Sequence, residues 1–116
     1  MRALIMATRD LPTAPGSFVP NTSPPKVMIV SPPNCLPLPS VTGEGFPELD
    51  DLTRWLPELA KLYGKLAIEQ ETYFADAAKF CEPDPVDGLH LDVENTRKLG
   101  IGIAKTLVLK GFSDFY

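Results

Sequence analysis

The sequence predicts an α/β fold with parallel strands, and three observations within its 116 residues carry that expectation. Lys26-Val27-Met28-Ile29-Val30-Ser31 is a short apolar run, rich in β-branched residues, free of polar alternation and followed by prolines. Such a run suits a strand covered on both faces, as in a parallel sheet. From Leu49 to about Glu71 the residues Leu52, Trp55, Leu56, Leu59, Leu62, Tyr63, Leu66 and Ala67 recur at three- and four-residue spacing, as one apolar helix face requires. Thr72-Tyr73-Phe74-Ala75-Asp76 then reads as a second, weaker strand. Strand, helix and strand in that order make a parallel crossover, right-handed by default.

The remaining elements follow in chain order. Residues 2 to 9 read as one or two helical turns carrying Leu4 and Ile5, which Asp10-Leu11-Pro12 would end. Residues 12 to 25 read as an irregular linker, because 11 of the 13 prolines fall in the first 57 residues. Pro32 to Pro39 can be neither helix nor central strand, and Gly43-Glu44-Gly45 continues that loop. Pro57 would either kink the long helix or begin it at a first turn, where no amide hydrogen is needed. Residues 92 to 110 give the clearest helix, with Asp92 as N-cap, Glu94 in the positive first turn, and an apolar stripe of Val93, Leu99, Ile103, Ala104, Leu107 and Val108. Lys110-Gly111 would stop it, and the apolar tail Phe112 to Tyr116 would pack back on the sheet or on another chain.

Composition narrows the function. One globular domain is the default at this length, with 44% hydrophobic and 22% charged residues. A net charge of −4 argues against nucleic acid and anionic membrane surfaces as partners, since both need a concentrated basic face. Cys35 and Cys81 form no metal or disulfide pattern and read as free thiols. With no signal-like or membrane-spanning run, a cytoplasmic location is the default.

The residues that carry chemistry lie in Pro85-Val86-Asp87-Gly88-Leu89-His90-Leu91-Asp92, which holds the only histidine. Gly88 between Asp87 and His90 permits a tight turn that brings both side chains to one side. Imidazole beside a carboxylate is the base half of a Ser-His-Asp apparatus. Blander readings stand beside this one. The pair could be a solvated turn, and Glu82, Asp84, Asp87 and Asp92 with His90 and Cys81 match no established zinc spacing, so no metal or cofactor is expected. Trp55 and Tyr63 read as core packing, and Cys81 as an inert buried thiol.

These residues resemble a known family. The strand Lys26 to Ser31 with Pro32-Pro33, the strand Tyr73-Phe74-Ala75-Asp76-Ala77, and the block Glu82 to Asp92 followed by Asn95, Leu99 and Gly100 are similar to the C-terminal half of the SGNH or GDSL-type hydrolases, closest to the arylesterase-like members. The resemblance implies a partial flavodoxin-like three-layer α/β/α sandwich spanning residues 1–116, with a loop-rich lead-in over 1–25 and strand, loop, helix, strand, catalytic loop and helix over 26–116. It implies a serine esterase of lipase-like type acting on a small-molecule ester, with His90 as general base and Asp87 as its orienting acid.

The family's Gly-Asp-Ser nucleophile block and its glycine and Gly-x-Asn-Asp oxyanion blocks do not occur here. Ser17, Ser23, Ser31, Ser40 and Ser113 lack the first context, and Asn21, Asn34 and Asn95 the last. The expectation is a chain beginning just after the asparagine block and inactive alone, because nucleophile and oxyanion donors act as a unit. An N-terminal half supplied in trans or a homo-oligomer would then cover the strands. The alternative is a non-catalytic interaction or regulatory module retaining the scaffold.

Overall fold

A computed structural model describes residues 1–13, 23–37 and 47–111, with the side chains of 47–50 left aside. Most of the expected linker, the loop beyond Pro37 as far as Phe46, and the tail after Gly111 lie outside these residues. The described elements are α1 (Arg2–Asp10), a 3-10 turn (Leu11–Thr13), β1 (Met28–Ser31), α2 (Pro47–Glu69), β2 (Tyr73–Asp76), a second 3-10 turn (Ala77–Lys79) and α3 (Val93–Leu109). None of the described helices is long and apolar enough to cross a membrane.

β1 and β2 pair in parallel, Met28 opposite Tyr73 and Ser31 opposite Asp76. The Tyr73 amide opens the ladder by donating to the Val27 carbonyl at 3.0 Å, and the Thr72 hydroxyl donates to the same oxygen. At the other end the Ser31 hydroxyl donates to Asp76 Oδ1 at 3.0 Å and accepts from the Ala77 amide at 3.3 Å. Ser31 is only 1% exposed, so this hydroxyl is a buried clasp between the strand ends.

Ile29 and Phe74, opposite one another, face the core. There Ile5 of α1, Ile29 and Ala67 of α2 are buried together, with Val27, Tyr63, Leu66 and Phe74 around them. Ile5 at 1% exposure is the apolar anchor of α1. Charge fixes the rest of that contact, through Arg2 and Glu69 at 2.6 Å and through Arg9, which donates to the carbonyls of Gln70 and Glu71. Just before them α2 ends in a Schellman arrangement: Thr72 N donates to Ala67 O, Glu71 N to Ile68 O, and Glu71 takes φ 49°.

Pro57 lies inside α2 rather than at its start, so the helix runs unbroken from Pro47 to Glu69. A proline costs a helix its amide donor and some straightness, yet α2 continues through it, with the buried Ala60 and Ala67 on its C-terminal side. The expected apolar face is only partly used. Ala60 and Ala67 are buried, whereas Leu62 is exposed and Trp55, read from sequence as core, is exposed beneath the Arg54 guanidinium at 5.1 Å.

Two further expectations change. β1 is covered on the Ile29 side, but Val30 between Ile29 and Ser31 is 37% exposed, so its cover is incomplete among the described residues. The stripe expected on α3 is split: Leu99, Ile103 and Leu107 are half-buried, but Val93, Ala104 and Val108 are exposed. The close contact of α3 is instead Gly102 against the Phe80 ring, where a Cβ would stand 2.2 Å from Cγ. Phe80 occupies the hollow that glycine leaves, and so sets which side of α3 turns inward.

Candidate acid-base site

The chain between β2 and α3 is held by its own acidic side chains. The Asp84 amide donates to the His90 carbonyl at 2.7 Å and the Gly88 amide to the Asp84 carbonyl at 2.7 Å, closing the loop on itself. Asp84 Oδ1 accepts from the Val86 amide at 2.8 Å. Asp87 Oδ1 accepts from the amides of Leu89 at 2.8 Å and His90 at 2.9 Å, an Asx-type arrangement that orients the carboxylate from within the turn.

The other carboxylate oxygen, Asp87 Oδ2, stands 2.7 Å from His90 Nδ1. The structure therefore brings together the two residues singled out from sequence, one oxygen anchored to the backbone and the other meeting the ring. With Nδ1–H given to the carboxylate, Nε2 keeps its lone pair. The His90 side chain is 79% exposed and that of Asp87 46%, so Nε2 is open to an approaching group.

Hydrogen bonding controls the charge of Asp87. The Leu89 amide, then the His90 amide and the His90 ring, hold its carboxyl at about 2, below the ordinary 3.8. It is a carboxylate at any neutral pH. The same effect, from the Asn95 amide and side chain, lowers Asp92.

Gly88 is required by the turn. Its φ is +67°, and a Cβ there would lie 2.6 Å from the Leu36 carbonyl oxygen. That close approach exists because the Leu36 amide donates to the Gly88 carbonyl at 2.8 Å. The proline-containing loop leaving β1 is thus tied to the histidine loop, and places it beyond the C-terminal ends of the parallel strands, where open α/β sheets bind ligands.

On the far side, Asp92 caps α3 by accepting from the Asn95 amide at 2.7 Å. The Asn95 side chain donates to Asp92 at 3.0 Å, and its oxygen accepts from the Glu82 amide at 3.0 Å. Asn95 thereby locks the entry of the loop to its exit. Sequence reading placed Asn95 only in the helix after the loop; the Asp-x-x-Asn spacing at a helix start was the available signal. Nothing in the sequence pointed to Leu36, whose contribution is a main-chain group.

The other named residues do not join the pair. Ser31 is spent on the strand clasp, Ser23 and Asn34 are exposed, and Ser17, Ser40, Ser113 and Asn21 lie outside the described residues. Cys35 and Cys81 are free, buried thiols whose pKa is raised by burial. Among the described residues, no three of His, Cys, Asp and Glu are grouped to hold a metal ion.

Over most of its length the chain is similar in fold to solved SGNH-type hydrolase structures. More narrowly, the similarity is to aryl esterases and carbohydrate acetylesterases. A carbohydrate acetylesterase from Sinorhizobium meliloti superposes with a TM-score of 0.75 at 29% identity over 95% of this chain and 49% of its own. The native M. smegmatis aryl esterase does so with a TM-score of 0.71 at 29% identity over 91% of this chain and 47% of its own. The chain thus spans about half the length of these enzymes. No protein-family model and no curated protein sequence matches it.

Proposed function

We propose that this chain contributes the acid-base end of an SGNH-type carboxylic ester hydrolase, His90 acting as general base and Asp87 as the acid that orients it. The observation that carries the proposal is the 2.7 Å contact of His90 Nδ1 with a carboxylate already fixed by two backbone amides, in a chain similar to esterases over nearly its whole length. Nε2 would take the proton of a serine hydroxyl as that oxygen attacks the ester carbonyl. It would return the proton to the departing alkoxide, and repeat the cycle with water on the acyl-serine. Asp87 stays ionised and stabilises the imidazolium formed at each transfer.

The serine and the oxyanion donors would be supplied by a segment other than these 116 residues, where no Gly-Asp-Ser or Gly-x-Asn-Asp block occurs. The substrate class is a small carboxylic ester. Aryl esters and acetylated carbohydrates, the classes in the names of the similar enzymes, are the candidates.

The assay is p-nitrophenyl acetate hydrolysis. Alone, the chain is expected to show no serine-dependent turnover. Combined with a Gly-Asp-Ser-bearing half, it should turn over, and His90→Ala should lower kcat by roughly a thousandfold or more. Turnover in the combined enzyme that is indifferent to both His90→Ala and Asp87→Ala would refute the assignment. That result would favour the second reading, a non-catalytic module, which the lack of a nucleophile block in this sequence supports.

A further inference from the structure

We propose that the hollow between α2 and the turn after β2 binds an α-amino acid with an apolar side chain. The Asp76 carboxylate receives its ammonium, the Lys79 ammonium and the Asn34 amide receive its carboxylate, and an apolar wall beside Phe74 receives its side chain. The inference goes beyond the esterase reading and uses neither His90 nor Asp87.

The hollow holds about 360 Å³, within the range of small-molecule sites. It opens where the chain leaves β2 at Asp76 and enters the 3-10 turn Ala77–Lys79, with α2 as its opposite wall. That is the end of the parallel strands at which open α/β sheets gather ligands. Along α2 it is lined by Pro57 and Ala60, neither of which carries a long side chain to fill it, and along β2 by the half-buried ring of Phe74. These three make the apolar wall.

The polar rim holds charges of both signs that are still unspent. Asp76 Oδ1 is occupied, accepting from the Ser31 hydroxyl at 3.0 Å and from the Ala78 amide at 3.2 Å, but Oδ2 meets no partner among the described residues. Lys61, also on the rim, gives its ammonium to Glu58 at 2.6 Å. Lys79 is exposed and pairs with no acid among the described residues, Asp76 included, although the two line the same hollow. The exposed side chain of Asn34, on the loop leaving β1, is likewise unengaged among them.

This combination selects among ligand chemistries. A simple anion would meet a like charge at Asp76, and a simple cation would meet one at Lys79. A neutral polyol would find hydrogen bonds but give neither ion a counter-charge. A zwitterion answers both, through charge-assisted hydrogen bonds that are stronger than neutral ones. The apolar wall then favours a zwitterion that also carries a hydrocarbon group. An α-amino acid of leucine's kind has all three features.

The test titrates L-leucine into the 116-residue chain and follows the amide shifts by NMR. Isopentylamine, which lacks the carboxylate, and isocaproate, which lacks the ammonium, are titrated beside it. Leucine is expected to give saturable shifts at Ala60, Phe74, Ala78 and Lys79, and each singly charged probe to bind at least roughly tenfold more weakly. Lys79→Gln, at an exposed side chain, should bring leucine down to the level of isopentylamine. Asp76→Asn, which keeps an oxygen for the Ser31 hydroxyl, should bring it down to the level of isocaproate; if that variant unfolds, Lys79→Gln decides by itself. His90→Ala should leave leucine binding unchanged even where it abolishes esterase activity, so failure of the catalytic reading and failure of this one are told apart. The proposal is overturned by the absence of saturable shifts with leucine, by equal affinity for leucine and either singly charged probe, or by leucine binding that survives Lys79→Gln. Saturable binding of methyl glucoside in leucine's place would overturn it too, and would assign the hollow to a neutral polyol.

Discussion

Asp87 holds its two oxygens to different tasks, one to the Leu89 and His90 amides and one to the ring. Because its folded pKa is about 2 against an ordinary 3.8, its contribution to the loop is fully present above 3.8 and is lost as pH falls through about 2. Acid should therefore loosen the turn from the carboxylate outward. The Leu89 and His90 amide shifts, followed by NMR from pH 5 downward, are expected to move together with a midpoint near 2, and Asp87→Asn should remove that transition. A midpoint at the ordinary carboxylate value would mean the amides do not hold the anion. At this scale the sequence was informative: a glycine between acid and histidine permits a tight turn in which the two side chains meet, as they do. What it left unread was the Leu36 amide on the Gly88 carbonyl, since a main-chain donor carries no residue signature.

Among the elements, α3 is set by two residues of opposite character. Asp92 begins it by accepting the Asn95 amide, and Gly102 brings it against Phe80. The first was legible, because an acidic residue before an apolar-periodic run is a cap signal. The second was not, because a helix glycine has many uses and its partner ring lies in a different element. Gly102→Ala should force the ring and the helix apart and cost about 2 kcal/mol in urea unfolding. Gly100, with open space around it, is the control, and Gly100→Ala should be neutral or stabilising. Equal losses at both positions would show that packing on Phe80 is not what fixes the helix. α2 was legible by its period but not by its start, since a pattern of apolar spacing continues through Pro57 whether or not the helix breaks there.

At the scale of the whole chain, the parallel pairing of β1 and β2 was readable from a β-branched run, a helical period and a second strand in order. The extent of burial was not. Periodicity marks which residues can face a core, and the exposed Val30, Trp55, Leu62 and Val108 show that a chain can carry more apolar faces than its own described elements cover. Beside the buried group around Ile5, Ile29 and Ala67, α3 and the histidine loop are held by the packing of Gly102 on Phe80, the Asp92 cap, the Asn95 bridge and the Leu36 tie.

The two thiols give that loop an internal clock. Cys35 precedes Leu36, whose amide holds Gly88, and Cys81 precedes Glu82, whose amide is held by Asn95. Both are buried, and burial raises both above the ordinary thiol value, so an alkylating reagent meets neither an exposed sulfur nor much thiolate while the loop is closed. Iodoacetamide should label each at least roughly tenfold slower than a free cysteine peptide, at a rate independent of reagent concentration once opening limits the reaction. Substituting Asn95 by Ala should speed Cys81 more than Cys35. Equal acceleration of both would show that the loop opens as one piece, and the labelling rate would then measure how often its two moorings slip together.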